Sequence, residues 1–456
     1  GCTQWEHLGN SGTCDAECRS GPITLIGPSD GCCPPGGNAL TDSDCTPDCG
    51  NQVTEPPGEE CDGTSVATSC QDMGYPGGDM LCDDDCQLDS SLCGESFGML
   101  VHEKVPNLLF QGDFVDVDWH PDGSSALLLL SSGNKLVKYD PEANALSLLY
   151  EFTGALQVTR VAYHPSGDFA FVVGYTASEP RMWKVFPETG EVVEHNLATY
   201  AGLKLTVVKF DKSGDRVAFG GYLDTDVTHL FVSSTPFESV SMSQGYGDYR
   251  GLADILWAEP DPLVYDGADY LLTSEGTNGA HSRSWILDVD TVVENGWSNG
   301  FGNPGRGQCQ PGGIFCFVAA RTTGKVYVWD QGDWPYPSMS VPGSGSNISS
   351  VAWNENGTRA LVVGRPSGNP VKGTVVEFRL NPGASPDQGQ WIDQSIPAWG
   401  EAPYLADFNT SINHVAWRPN SPCQEGLIVA SDTGTSWSPG FGIVVHFKDS
   451  SDPDCL

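Results

Sequence analysis

Val115-Asp116-Val117-Asp118-Trp119-His120-Pro121-Asp122-Gly123 and Val158-Thr159-Arg160-Val161-Ala162-Tyr163-His164-Pro165-Ser166-Gly167 share one pattern. Alternating apolar residues end on an aromatic, a Pro/Gly turn follows, and a second apolar strand such as Ala126–Leu130 comes next. The pattern returns at Val207–Gly214, Ser350–Gly357 and His414–Asn420, with a weaker copy at Asp254-Ile255-Leu256-Trp257. The aromatics at 119, 163, 210 and 257 lie 44, 47 and 47 residues apart, and Trp353 lies 96 further on, or two periods of 48. A further unit therefore belongs between 257 and 353. Ile314–Ala320 and Lys325–Asp330 supply its middle strands, and Gly/Pro-rich sequence around 300–313 obscures its first. About four strands every 40–50 residues is the signature of a β-propeller blade. The expected fold is all-β, a ring of seven such units over residues 97–456. The strand within 98–110 is expected to complete the last blade and so tie the two ends of the ring together.

The repeat resembles WD40-like and related bacterial seven-bladed propellers over residues 98–450. The closing Trp-Asp dipeptide is mostly missing, and Trp329-Asp330 is the nearest to it. A resemblance of this kind implies a rigid platform that binds at the mouth of a central channel.

Composition narrows the partners. The 456 residues carry 59 Asp and Glu against 22 Lys and Arg, a formal net charge of −37. So acidic a surface repels nucleic acid and anionic lipid headgroups, which excludes nucleic acid as an expected partner. Apolar residues come in short bursts broken by Gly, Pro, Asn and Asp, and no run of about 18 forms a transmembrane segment.

Twelve of the 16 cysteines fall in the first 93 residues: Cys2, Cys14, Cys18, Cys32, Cys33, Cys45, Cys49, Cys61, Cys70, Cys82, Cys86 and Cys93. Zinc is the competing account, but His7 is the segment's one histidine and the cysteine spacings are unlike zinc knuckles. Disulfides account better for an even number at this density, and they place the chain in an oxidising compartment, secreted or on the outer cell surface. A signal peptide is then expected to have been removed. Gly1-Cys2 has the form of a bacterial lipoprotein cleavage site. Acylating Cys2 would leave an odd number of thiols, which favours a disulfide there.

Residues 1–48 and 49–96 read as two small modules, too poor in aliphatic residues to fold without cross-links. Together they hold 18 acidic residues and one basic residue, Arg19. In the second, Cys49-Gly50-Asn51 leads to Pro57-Gly58-Glu59-Glu60-Cys61-Asp62, then to Gly74-Tyr75, Cys82, Cys86, Asp89 and Cys93. In the first, Asp30-Gly31-Cys32-Cys33-Pro34-Pro35-Gly36 precedes Asp42-Ser43-Asp44-Cys45. Over residues 14–93 the two resemble the cysteine-rich repeats of myxobacterial and related secreted proteins, which implies a surface stalk and a route to self-assembly. In the propeller, Cys309 with Cys316 is expected to staple a loop, and Cys423 with Cys455 to lock the closure.

Catalytic motifs are missing: the sequence has no nucleophile elbow, phosphate-binding Gly loop or His-Glu-x-x-His helix. His120 and His164, each before a Pro in the first hairpin turn, read as turn caps. Ala430–Trp437 approximates a sialidase Asp-box, a structural turn in those proteins. The sequons at Asn347, Asn356 and Asn409 read as Asn turns. No cofactor is expected. Asp83-Asp84-Asp85 is the one candidate for Ca²⁺, but three consecutive acids cannot all face one ion, and a solvated charge run accounts for them better.

The channel mouth is the place to seek binding. Three residues before each aromatic stand Asp116, Arg160, Val207, Asp254, Ser350 and His414, and just past the second strands stand Ser132, Tyr175, Tyr222, Glu275, Arg321, Arg365 and Asp432. From these sets the expected ligand-binding residues are Arg160, Tyr175, Tyr222, Asp254, Glu275, Arg321, Arg365, His414 and Asp432, with Trp437. Arg321 and Arg365 suit a carboxylate or sulfate, and Tyr175, Tyr222 and Trp437 suit stacking on a sugar or ring. Glu275, Asp254 and His414 form the only acid/base set. The reading favoured is an extracellular binding or adhesion protein that recognises a protein, peptide or glycan. Its alternatives are a structural subunit of an extracellular assembly and a hydrolase or lyase acting at the mouth.

Overall fold

A computed structural model of the chain describes residues 3–8, 17–22, 45, 54, 60–61, 81–82 and 86–89 of the first 98. It also describes 100–223 apart from short gaps, and from 228 onward the strands given below with some of their turns. Two compact units result, Gly1–Gly98 and Met99–Leu456.

In the first unit Thr3–Leu8 pairs antiparallel with Glu17–Pro22, and Leu81–Cys82 pairs with Leu88–Asp89. Cys61 is bonded to Cys82, and Cys45 and Cys86 are also in disulfides. The Glu60 and Cys61 amides both donate to the Cys86 carbonyl, at 2.9 and 3.3 Å. The Asp83–Asp85 run and Cys2 lie outside the described residues, as do the other N-terminal cysteines except Cys18, whose backbone alone is described.

In the second unit the strands form seven four-stranded antiparallel sheets. Their innermost strands are Phe114–Trp119, Gln157–Tyr163, Leu203–Phe210, Leu252–Ala258, Pro304–Cys309, Ile348–Trp353 and Thr410–Trp417, here blades 1 to 7. Each innermost strand touches the next, and that of blade 7 touches that of blade 1, so the ring closes. Leu100–Lys104 is the fourth strand of blade 7, paired with Gly442–Asp449, which is the closure expected of this segment.

Burial follows the radius. Where burial is described the second strands are almost wholly buried, as in Ala126–Leu130, whereas the outermost strand of blade 1, Ala145–Glu151, is largely exposed. A strand packed on both faces needs an unbroken apolar run, and alternate residues serve opposite neighbours. Leu127 and Leu129 pack with Val161 and Val172 of blade 2, while Ala126, Leu128 and Leu130 pack with Val429 and Val444 of blade 7.

Every innermost strand carries a β-bulge a few residues before its end, for example between Phe114 and Asp116 and between Ile348 and Ser350. The bulge turns one side chain sideways toward the next blade. There Thr159 donates to Leu205 O at 3.0 Å, Thr206 to Leu252 O at 2.7 Å and Asn413 to Phe114 O at 2.7 Å, and Ser349 donates to Ile412 O. The strand opposite must come close. A Cβ on Gly174 would sit 2.2 Å from Gln157 O, and one on Gly364 2.2 Å from Asn347 O. The terminal aromatic latches backward: the Trp119, Trp257 and Trp417 indoles donate to Ala416 O, Lys209 O and Ala352 O of the preceding blades.

Blade 5 differs. Its first strand, Pro304–Cys309, ends on Cys309 where the other blades have an aromatic, and Cys309 pairs and is disulfide-bonded with Cys316 on the second strand. The expected Cys309–Cys316 bond is present. Cys423 is also in a disulfide, and Cys455 lies outside the described residues.

The turn histidines behave as caps. His164 Nδ1 meets Ser166 Oγ at 2.8 Å, and its Nε2 meets Gly214 O of the next blade at 3.0 Å. His120 Nδ1 meets Asp122 Oδ1 at 2.5 Å.

On the same face blade 7 grips blade 1: Arg418 Nε donates to Gly123 O at 2.7 Å and Asn420 Nδ2 to Pro121 O at 3.0 Å. Arg418 is fixed by Glu425, whose other oxygen lies 2.8 Å from buried His446. Burial would raise the Glu425 pKa, but the His446 hydrogen bond and the Arg418 charge outweigh it and bring it to about 2. Because the folded value lies below the unfolded one, this carboxylate stabilises the fold above about pH 4.5 and stops doing so as pH falls toward 2. Glu425→Gln is therefore expected to cost about 2 kcal/mol at pH 7. It should also flatten the loss of stability between pH 5 and pH 2, as read by urea denaturation.

Candidate functional site

The residues three places before the strand ends meet at the waist of the channel. Blade 5 contributes Arg306, which the sequence reading missed because Cys309 stands in the place of an aromatic. Arg306 crosses the ring to form an ion pair with Asp116 Oδ1 of blade 1 and to donate to Val115 O. His414 Nδ1 lies 2.9 Å from the same Asp116 oxygen and 3.4 Å from Val117 N, and Val161 N donates to Asp116 Oδ2 at 2.8 Å. Arg160 reaches from blade 2 to Ala253 O of blade 4 at 2.7 Å, and Asp254 accepts from Gly307 N at 2.9 Å. Buried Ser350 completes the polar part of the ring, and its Oγ has no partner among the described residues.

Electrostatics fix the protonation states. Burial alone would raise the Asp116 pKa, but the Arg306 charge, the His414 hydrogen bond and the Arg160 charge hold it well below the usual carboxylate range. His414 is pushed down to about 3 by burial and by Arg306, so its ring is neutral at any ordinary pH. Arg306 falls to about 10, through burial and the like charge of Arg160, and stays cationic at neutral pH. Asp118, one turn of the pleat further along, is pushed up to about 6 by burial, against the pull of Lys209 and the amide of Tyr163.

The waist separates two cavities. The larger, about 560 Å³, opens where the innermost strands begin and is lined by residues of all seven blades. Its charged lining is Arg160, Arg306 and Arg321, and no carboxylate lines it among the described residues. The rest is mainly amide and hydroxyl, including Gln157, Thr159, Asn347 and Asn413. The smaller, about 200 Å³, is lined by Asp116, Asp118 and Asp254 together with Arg160, Lys209, Arg306 and His414.

Of the residues expected at the mouth, Arg160 and Arg321 line the larger cavity. Asp254 and His414 lie deeper, at the waist, because the bulge carries them past the opening. Tyr175 and Tyr222 flank the rim: Tyr175 OH donates to Gln157 Oε1 at 2.6 Å, and Lys204 Nζ lies 6.0 Å and 5.6 Å from the Tyr175 and Tyr222 rings. The backbones of Glu275 and Asp432 end second strands, but their side chains lie outside the described residues, and so do Arg365 and Trp437. No His/Cys/Asp/Glu group suited to a metal occurs among the described residues.

The solved structure entitled "Structure of U3-55K" is similar over 76% of this chain and 98% of that one, with a TM-score of 0.54 at 13% identity. "Crystal structure of RRP9 WD40 repeats" is similar over 76% of this chain and 97% of that one, with a TM-score of 0.55 at 14% identity. At such identities the likeness is one of fold, and the fold is a WD40-like β-propeller. No protein-family profile and no curated protein sequence matches the chain.

Two neighbouring aspartates should respond oppositely to loss of charge. Asp116→Asn strands Arg306 without its counter-ion and is expected to cost about 3 kcal/mol. Asp118 has a folded pKa above the ordinary 3.8, so its ionisation opposes folding. That penalty is absent below about pH 3.8, grows as pH rises and is complete above 6. Asp118→Asn keeps an acceptor for the Tyr163 amide and should stabilise the protein at pH 7 but not at pH 3.5. Chemical denaturation of both variants at the two pH values checks this, and a loss of stability at pH 7 in Asp118→Asn would overturn it.

Proposed function

We propose that this chain is a secreted or cell-surface recognition protein whose propeller binds a protein, peptide or glycan over the larger channel mouth. One observation carries the reading: a polar cavity of about 560 Å³ to which all seven blades contribute. Pockets of this size suit a side chain, a sugar or a small ligand. The half-buried Tyr175 and Tyr222 beside it supply apolar faces at little cost in conformational freedom. Propellers commonly act as interaction platforms, and the WD40-like fold fits that use.

Disulfides in both units support an oxidising compartment. In this reading the cysteine-rich segment is a stalk. The hydrolase reading gains little from the waist: His414 is a very weak base held by Asp116, and Asp254 is committed to the Gly307 amide.

The full chain, applied to printed glycan and peptide arrays, is expected to bind a defined subset of spots. The double variant Tyr175→Ala/Tyr222→Ala should lose that signal while keeping its melting temperature within a few degrees. Binding that survives the double substitution, or no binding at micromolar protein, would remove the platform from this face. Non-reducing mass spectrometry of protein from its native source tests the compartment. Intact Cys61–Cys82 and Cys309–Cys316 outside the cytoplasm support secretion, and free thiols in a cytoplasmic fraction oppose it.

A further inference from the structure

Within the recognition reading, and resting on it, the geometry points to a specific ligand chemistry for the larger cavity: we propose that it binds the carboxylate of a hydroxylated sugar acid. Arg160, Arg306 and Arg321 converge on one cavity in a chain of net charge −37. At the waist Asp116 answers Arg306, and the Asp254 charge acts on both Arg306 and Arg321. Two carboxylates stand against three guanidinium groups, and His414 is neutral, so one positive charge is left over.

Arg160 is tied to Ala253 O and Arg306 to Asp116 and Val115 O, which leaves Arg321 as the guanidinium with its donors free. It makes no hydrogen bond or ion pair among the described residues, although it lines the cavity. Water reaches it through the opening, yet the surrounding protein and the like charge of Arg160 lower its pKa. An unpaired guanidinium facing a polar cavity offers a planar fork that matches a carboxylate in two parallel hydrogen bonds.

The rest of the wall specifies hydroxyl groups. Thr159 and Thr206 spend their hydroxyl protons on carbonyls of the next blade, and Asn413 spends both amide protons, on Phe114 O and Ser431 Oγ. These side chains therefore retain acceptor lone pairs and no donors. Gln157 accepts from Tyr175 OH and keeps its amide protons. A wall rich in acceptors, with arginine at one side, is complementary to a molecule that carries several hydroxyl donors and one carboxylate. A volume of about 560 Å³ accommodates one or two pyranose rings.

The test is calorimetric titration of the full chain with D-glucuronate, D-glucose and sulfate. Glucuronate is expected to bind at least tenfold more tightly than glucose, and Arg321→Gln should weaken it at least tenfold. Arg321→Lys should recover part of the affinity, because it restores charge without the fork. A melting curve for each variant confirms folding, and Asn347→Ala at the rim serves as a second variant, expected to weaken glucuronate severalfold.

No detectable glucuronate binding in the millimolar range overturns the proposal, and so does equal binding of glucose or indifference to Arg321→Gln. Sulfate binding as tightly as glucuronate would mark a plain oxyanion site and overturn the sugar-acid assignment. If glucuronate fails while array binding still depends on Tyr175 and Tyr222, the platform stands and only this ligand assignment falls. Failure of both measurements removes the two together.

Discussion

One carboxylate holds the centre of this protein. Asp116 accepts from an arginine on blade 5, a histidine on blade 7 and a backbone amide on blade 2, so blades from opposite sides of the ring are referred to a single side chain. The cost of burying such a group is recovered only because every partner is in place. The Arg306–Asp116 pair reaches across the channel between its two cavities. Among the described residues the larger cavity has only arginines as charged lining, whereas the smaller mixes aspartates with Arg160, Lys209 and Arg306, so a strongly acidic chain presents a cationic recess on one side.

Around the waist, stability is distributed rather than local. In blades 2, 3, 6 and 7 the bulge sends a Thr, Ser or Asn forward to the following blade, and each terminal indole that takes part reaches back to the preceding one. The ring is thus stitched in both directions by hydrogen bonds to carbonyls that the bulge and the blade boundary would otherwise leave unpaired. Blade 5 is the exception that shows what the aromatic does. Having lost the ring at position 309, it fixes the same strand pair with a covalent bond to Cys316.

Much of this was legible in the amino-acid order. Alternating apolar residues, a closing aromatic and a Pro/Gly turn reveal the blades wherever all three are present, and the closing strand near residue 100 was readable as well. Blade 5 hid its first strand because Gly305, Gly307 and Cys309 satisfy none of those cues, and Arg306 was hidden with it. The bulge was illegible for a different reason. It occurs in every copy, so aligning copies with one another cannot expose it, and residues assigned to the mouth lie at the waist instead. The partnership of Arg306 with Asp116 depends on the diameter of the ring, which no local pattern encodes. Arg160 was reached from sequence because its blade follows the repeat, and Arg321 because the apolar second strand of blade 5, Phe315–Ala320, was legible although the first was not.

The second strands split their side chains between two neighbours, so no blade owns a hydrophobic interior. A sheet excised from the ring would expose both faces at once and have nothing to fold against. Cooperativity is therefore circular: the assembly has no natural first or last element, only the point where Leu100–Lys104 is laid against Gly442–Asp449. Moving that seam to another inter-blade loop by circular permutation would leave every shared interior intact. The position of the seam is thus a matter of chain connectivity rather than of packing.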